Sequence, residues 1–227
     1  MITPVIAIDG PSGSGKGTIA RLVAEQLGWH LLDSGALYRL VGLAALNKGI
    51  STSDHAACGQ LAAALNVRFG SDAGGHEQIW LAGEEVSATL RTESAGDRAS
   101  QVAAIPAVRA ALFERQRRFA EPPGLVADGR DMGTVVFQDA LLKIYLTASA
   151  EERAKRRHKQ LKDKGIDVSL AALSREVADR DHRDLTRAIA PLKPAADAVT
   201  IDSTSMPIDA VVEQVLAAYA SKVSQPD

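Results

Sequence analysis

The sequence predicts an α/β protein with a five-stranded parallel sheet flanked by helices. Five short apolar runs, each bounded by turn or cap residues, have the character of buried parallel strands. They are Val5–Asp9, His30–Asp33, 125–128, 143–146 and 198–202. Helical patterns separate them, at Lys16–Leu27, 107–120, 150–164, 170–184 and 208–222. A glycine-rich segment joins the first strand directly to the first helix.

Length and composition set the class of protein. A chain of 227 residues, 46% apolar and 24% charged, suits one soluble α/β domain with a small insertion. The sequence has no apolar stretch long enough to predict a membrane span, and it does not start with the basic and then apolar segments of a signal peptide. We therefore expect a cytoplasmic protein. The single cysteine, Cys58, argues against a disulfide or a cysteine-rich metal site.

The segment after the first strand has the features of a phosphate-binding loop. It reads Gly10-Pro11-Ser12-Gly13-Ser14-Gly15-Lys16-Gly17-Thr18. Its glycines let backbone N–H groups surround phosphate oxygens, the following helix N-terminus adds partial positive charge, and Lys16 can reach the outer phosphates of a nucleotide. A flexible turn with a chance lysine would lack the flanking strand and helix.

The loop departs from the commonest pattern at Gly17. The Ser or Thr that usually binds magnesium is shifted by one place to Thr18, or is absent. This Gly-Lys-Gly-Thr ending resembles nucleoside monophosphate kinases rather than GTPases. The resemblance implies that Mg²⁺ is bound with ATP mainly through phosphates and water, and no protein residue is assigned as a metal ligand.

Charged residues follow the other strand ends. Four of the five strands end in Asp, and ligands of such sheets gather at the carboxyl ends of the strands. After the second strand come Ser34 and Arg39, and a guanidinium there can pair with a second phosphate. The third strand leads into the turn 128–131, in which Arg130 and Asp131 make better sense as a site than as a connector, because buried like charges are costly unless paired.

A third group of charges lies near the end of the chain. Arg180, Asp184 and Arg187 are spaced by four and three residues, which predicts one shared helical face. The spacing suits a phosphate clamp and a solvated helix about equally. Two arginine- and lysine-rich clusters, 115–118 and 153–159, suit solvated helix faces, and for the first cluster that is our prediction.

One segment breaks the alternation of strands and helices. Residues 66–70 and 78–86 flank a Gly- and Asp-rich turn and predict small antiparallel strands. A sheet of this size is too small to fold alone. We therefore expect an insert at 66–90 within a single domain covering 1–227.

Taken together, these strings resemble the bacterial cytidylate kinase family. The resemblance is carried by residues 8–13, 33–39, 127–137 and 180–184, with 99–103 and 202–204, and it spans nearly the whole chain. It implies transfer of the γ-phosphoryl group of ATP to CMP or dCMP by a P-loop domain. It also implies that 66–90 is the monophosphate-binding insert and that 151–165, which carries the second basic cluster, is a short helical lid.

The resemblance assigns roles residue by residue. It implies that Lys16, Arg130, Arg153 and Arg157 are catalytic and that loop residues 10–18 bind the ATP phosphates. For CMP it implies a set comprising Ser34, Arg39, Ser100, Arg109, Arg130, Asp131, Arg180, Asp184 and Arg187. Within that set Ser100, Arg109 and Asp131 would contact cytosine, Arg180 and Asp184 the ribose, and Arg39, Arg130 and Arg187 the acceptor phosphate.

Three other functions are alternatives to this interpretation. A broader pyrimidine or small-molecule kinase stays open. A GTPase is disfavoured, because the Asp-x-x-Gly match at 72–75 has no strand before it and Asn47-Lys48 does not continue to Asp. Nucleic-acid binding is disfavoured by a net charge of −2 and by only four Phe, three Tyr and two Trp. With no heptad seam or apolar stripe, we expect a monomer.

Overall fold

In the computed structural model, which describes residues 3–71, 77–163 and 165–224, the five predicted strands form one parallel sheet. The described strands are, in chain order, β1 Val5–Asp9, β2 His30–Asp33, β3 Val67–Ser71, β4 Glu77–Leu81, β5 Glu84–Glu85, β6 Leu125–Gly129, β7 Leu142–Thr147 and β8 Val199–Asp202. The parallel sheet has the order β2-β6-β1-β7-β8. The predicted sheet is confirmed, with strand ends moved by about one residue.

The described helices include the five that the sequence predicts and several that it does not. They are α1 Lys16–Leu27, α2 Ser34–Asn47, α3 His55–Ala63, α4 Ser87–Leu90, α5 Glu93–Val102, α6 Pro106–Arg117, α7 Ala150–Asp163, α8 Leu170–Thr186 and α9 Ile208–Val223. A π-helical turn, Met132–Val136, follows β6. Among the described residues, no helix is both long enough and apolar enough to cross a membrane.

The chain divides into two compact units. The first comprises Met1–Asp33 and Gln116–Asp227 and contains the parallel sheet. The second is Ser34–Arg115 and contains the β3-β4-β5 sheet with α2 to α5.

The core of the first unit lies between the parallel sheet and helices α1 and α9. Ile6 and Ile8 of β1 are fully buried, and Val23 of α1 and Val215 of α9 pack into the same cluster. Burying such a side chain stabilises a fold by about 1.5–3 kcal/mol. This apolar layer holds β1 and α1 at the two ends of the loop that joins them.

Both ends of α1 are set by glycines in the left-handed conformation. Gly15 precedes the helix with φ 91°, and Gly28 follows it with φ 66°. Beyond Gly28, the N–H of Trp29 donates to the Ala24 carbonyl, which closes the last turn. These glycines explain why the predicted bounds of α1 are correct.

The second unit contains the predicted antiparallel strands. β3 and β4 pair antiparallel with Phe69 opposite Ile79, and β5 pairs with the end of β4. The motif at 72–75 lies outside the described residues. Helices α2 and α5 approach so closely that a Cβ on Gly42 would lie 2.9 Å from the Arg98 Cβ. Cys58 is buried in α3.

The prediction that arginines 115–118 form a solvated face is wrong for two of them. Within the second unit, Arg115 donates to the Leu65 carbonyl. Within the first unit, Arg117 donates to the Val136 carbonyl. Arg118 is exposed. Long side chains with five donors satisfy carbonyls that neighbouring elements leave open, and sequence spacing alone does not show this.

Candidate active site

The loop between β1 and α1 requires glycine at three positions for two different reasons. Gly13 and Gly15 have φ of 78° and 91°, a region that other residues rarely adopt. A Cβ on Gly10 would lie 2.0 Å from the Leu146 carbonyl oxygen of β7, so the backbones approach too closely for any side chain. The structure therefore confirms the strand–loop–helix context of a phosphate-binding loop.

Lys16 is the first residue of α1 and is only 8% exposed. Its Nζ donates to the Pro11 carbonyl at 3.0 Å, so the amine folds back over the loop. Burial lowers the pKa of Lys16 to about 7, the positive charge of Arg130 adds to the effect, and Asp128 opposes it. An amine in this state gains a proton when a polyanion arrives.

Ser14 adds a second polar group to the loop. Its Oγ is buried and has no hydrogen-bond partner among the described residues. A buried hydroxyl is normally hydrogen-bonded, so an unpartnered one is typical of a ligand site. A phosphate oxygen would satisfy it.

Two arginines of α7 support the loop from behind. Arg153 is 4% exposed and donates to the Ser12 carbonyl at 3.0 Å while pairing with Asp181. Arg156 donates to the Ser14 carbonyl at 3.3 Å. Both guanidinium groups therefore satisfy carbonyls of the loop.

A third arginine of the predicted lid contacts its own helix. Arg157 donates to the Gln160 side chain at 3.2 Å. The residues described for α7 end at Asp163, and residue 164 of the predicted lid lies outside the described residues. The catalytic roles of Arg153 and Arg157 stay predictions.

The segment after β6 is held by a carboxylate from β1. Asp9 accepts hydrogen bonds from the backbone N–H groups of Met132 and Gly133, each at 2.8 Å. Burial raises the pKa of Asp9 to about 7, although these two donors act to lower it. Gly129 does not have a left-handed φ, and a Cβ there would lie 2.7 Å from Met132 Cγ, so the Met132 side chain packs directly over this glycine.

Two arginine–aspartate pairs lie beside this segment. Arg130 Nε donates to Asp184 Oδ2 at 2.8 Å, and Arg187 Nη2 lies 3.6 Å from Asp131 Oδ1. Burial alone would raise the pKa of Asp184, but the charge and hydrogen bond of Arg130 hold it below its usual value. The structure therefore brings together four residues that the sequence assigned to the CMP site.

The shared helical face predicted for Arg180, Asp184 and Arg187 is wrong for the last of them. α8 ends at Thr186, and Arg187 has φ −58° and ψ 136°, outside the helical region. Its Nε instead donates to the Ala190 carbonyl, and this turn directs the guanidinium toward Asp131. Helical periodicity could not show this, because it assumes that the helix continues.

The other predicted CMP residues belong to the second unit. Ser34 begins α2 and is buried, and Arg39 lies one turn further along the same helix. Ser100 is buried on α5. Arg109 of α6 is buried, with Nη1 donating to the Ala103 carbonyl at 3.3 Å. Their part in binding stays a prediction.

Sequence reasoning missed four residues of this site. Arg156 and Ser203 donate to the Ser14 carbonyl of the loop, Asp181 pairs with Arg153, and Asp9 holds the segment after β6. Ser203 Oγ donates to the Ser14 carbonyl from the end of β8. The only signal for Asp9 was its position at a strand end, which predicts a side chain near the carboxyl edge of the sheet but not its partners.

Comparison with known proteins agrees with the geometry. A family model described as cytidylate kinase matches residues 6–221. A cytidylate kinase of Pseudomonas aeruginosa is 62% identical over 214 residues, covering 94% of this chain and 93% of the relative. One of Pseudomonas putida is 58% identical over 227 residues, covering 100% and 98%. A solved gluconokinase of Sinorhizobium meliloti 1021 matches with a TM-score of 0.49 and 16% identity, and the match covers 97% of this chain and 93% of that chain. A likeness at this level identifies no function. The family match and these identities show that the chain belongs to the cytidylate kinase family.

Proposed function

We propose that this protein transfers the γ-phosphoryl group of ATP to CMP or dCMP, giving ADP and CDP or dCDP. The observation that carries the proposal is the buried Lys16 in a glycine-shaped loop, within the same unit as the pairs Arg130–Asp184 and Arg187–Asp131. The loop with Lys16 suits a nucleotide as the phosphoryl donor, and the two arginine–aspartate pairs suit an anionic acceptor. Family membership supports CMP as that acceptor.

The donor would occupy loop residues 10–18. The left-handed glycines of the loop and the start of α1 favour backbone N–H contacts with phosphate oxygens. Lys16 would exchange its contact with Pro11 for a phosphate, and Ser14 Oγ would gain a partner. Both changes involve side chains, so ATP would bind without a rearrangement of the loop backbone.

The acceptor would be held by arginines that are already paired with carboxylates. We propose that Arg130 and Arg187 bind the CMP phosphate, while Arg180 and Asp184 bind the ribose. Prior pairing keeps each guanidinium oriented, so little side-chain entropy is lost on binding. The other proposed contacts come from the second unit: Ser34, Arg39, Ser100 and Arg109.

Recognition of cytosine is assigned to Asp131 with Ser100 and Arg109. An aspartate can accept a hydrogen bond from the exocyclic N4 amine, while an arginine donates to the ring carbonyl. Uracil presents a carbonyl at position 4, which places an acceptor against the carboxylate. A site built on this hydrogen bond therefore disfavours UMP.

Phosphoryl transfer here needs positioning and charge neutralisation rather than a protein base. The attacking group is already an anionic phosphate, so no proton has to be removed from it. The main obstacle is repulsion between two polyanions. Lys16 and the arginines offset that repulsion and hold donor and acceptor in line.

The residues present also fit a magnesium ion bound with ATP. Asp128 Oδ2 would lie 3.1 Å from a Cβ on Gly17, so a carboxylate faces the first turn of α1 where many phosphate-binding loops have Ser or Thr. We propose that Asp128 and Thr18 contact the hydration shell of the ion. When bound, Mg²⁺ neutralises charge on the phosphates.

Two peripheral segments would close over the substrates. We propose that 151–165 is the lid, with Arg157 contacting the transferred phosphate and Arg153 holding the loop, and that 66–90 is the monophosphate-binding insert. Closure would exclude water that otherwise hydrolyses ATP. We further propose that the protein acts as a monomer in the cytoplasm, independently of nucleic acid and membranes; light scattering after gel filtration tests the first of these.

The proposal is tested by following ADP release with ATP, Mg²⁺ and each of CMP, dCMP, UMP and AMP. We expect CMP and dCMP to be strongly preferred. Lys16→Ala should abolish transfer with an unchanged circular dichroism spectrum, while Lys222→Ala, an exposed lysine on α9, should have no effect. Equal rates with UMP would favour a broader pyrimidine kinase, and no transfer to any monophosphate would contradict the class.

A further inference from the structure

Asp9 is a buried carboxylate that the reaction outlined above does not use. It is the last residue of β1, directly precedes the first loop residue Gly10, and is 5% exposed. Its two oxygens accept from the N–H groups of Met132 and Gly133, which are 123 and 124 positions further along the chain. Burying a carboxylate costs free energy, so we expect Asp9 to have a structural or functional role.

The π-helical turn that Asp9 contacts lacks a cap of its own. The first N–H groups of any helical turn have no acceptor within it. Asp131 stands at the cap position, but its side chain makes no capping hydrogen bond. Its carboxylate lies 3.6 Å from Arg187 instead. Asp9 therefore supplies the side-chain cap of this turn, a role that the Asp131 side chain does not take.

Asp9 also holds both ends of the two-residue link that carries Arg130 and Asp131. On one side, Gly129 is the sheet partner of Asp9 in the parallel pair β1–β6. On the other side, Met132 donates to the Asp9 carboxylate. The backbone between these two points is thus fixed relative to the residue that begins the ATP loop.

We propose that Asp9 is a positioning residue that sets Arg130 and Asp131 at a fixed distance from the ATP-binding loop. This inference rests on the proposed function, since it assigns Arg130 to the acceptor phosphate and the loop to ATP. Asp9 touches neither substrate. It acts because in-line transfer needs both nucleotides held in one geometry, and a displacement of about 1 Å can cost about 100-fold in rate.

Replacement by asparagine weakens this link with little change in shape, because one of its two hydrogen bonds is lost. In Asp9→Asn the amide oxygen can still accept one N–H, but the amide nitrogen faces the second donor. The matched control is Asp202→Asn, at the end of β8, whose carboxylate accepts only a local contact from Thr204 in the described hydrogen bonds. Asp9→Glu keeps the charge and moves the carboxylate by one methylene, and it serves if the asparagine variant does not fold.

The test measures ATP affinity by calorimetry, kcat with CMP, and amide hydrogen exchange over 130–136. We expect kcat to fall about 100-fold and exchange over 130–136 to rise, while the ATP dissociation constant changes less than about threefold. A kcat within about threefold of wild type, or a parallel loss of ATP affinity and kcat, would overturn the proposal. Failure of wild type to phosphorylate CMP would instead refute the proposed function, and the exchange measurement would still report on the Asp9 link.

Discussion

Binding of ATP should draw a proton onto Lys16. In the free protein burial lowers the pKa of this amine to about 7, with Arg130 and Arg180 acting in the same direction and Asp128 and Asp184 opposing. Phosphates of a bound nucleotide place several negative charges beside the same amine. Opposite charge favours the ammonium form, so the pKa of Lys16 rises on binding.

The expected uptake follows from that pKa. With a value of about 7, Lys16 in the free protein is about one-tenth protonated at pH 8 and about nine-tenths protonated at pH 6. Complete protonation in the complex then means uptake of about 0.9 proton at pH 8, about 0.5 at pH 7 and about 0.1 at pH 6. Affinity for ATP should accordingly weaken about fivefold from pH 7 to pH 8 and by nearly tenfold per pH unit above pH 8.

Titration calorimetry in buffers of different ionisation enthalpy measures this uptake directly. Binding enthalpy plotted against buffer ionisation enthalpy has a slope equal to the number of protons taken up. Lys16→Arg is the matched control, because a guanidinium stays protonated throughout this range and should bind ATP with no uptake. A zero slope for the wild type at pH 8 would show that Lys16 is charged before ATP arrives, and would refute the reasoning.

Three further variants test individual contacts. Gly17→Thr gives the loop the commoner sequence, but its Cβ would lie 3.1 Å from Asp128 Oδ2, so we expect kcat to fall about tenfold. An unchanged or higher kcat would contradict this. Asp184→Asn removes the hydrogen-bonded charge partner of the half-buried Arg130 and should destabilise the fold by about 3 kcal/mol, seen as a melting temperature about 6–12 °C lower. An unchanged melting temperature would show that the pair is not structural. Arg153→Ala should raise the KM for ATP about tenfold by releasing the Ser12 carbonyl. Loss of kcat with unchanged KM would instead indicate direct contact with the transferred phosphate.

The parallel core was predictable because its signals are local. β1, the loop and α1 follow from an apolar run, left-handed glycines and a helical pattern that are contiguous in sequence, and their bounds were predicted correctly. The helices α2 to α5 were not located. Gly42 lies inside the continuous helix α2, and its role is visible only as the close approach of α5, which no local pattern in the sequence shows.

The site was predicted as a set of residues rather than as a set of contacts. Strand ends and helical spacing singled out Arg130, Asp131 and Asp184 separately, and only the family resemblance placed them in one CMP-binding set. The structure places Arg130 beside Asp184. Which of these residues contact one another was not predictable from the sequence. Arg187 reaches Asp131 only because the chain leaves the helix after Thr186, and such turns depend on tertiary packing.

The most direct test of the account is competition between acceptors. The protein is given ATP labelled at the γ-phosphate, Mg²⁺, and equal concentrations of CMP and UMP, and the labelled products are separated by chromatography. We predict that the label appears predominantly in CDP, because in the proposed site Asp131 would accept a hydrogen bond from the N4 amine of cytosine, which uracil lacks. Equal labelling of UDP, or label in inorganic phosphate alone, would contradict the assignment of this chain as a kinase that selects CMP.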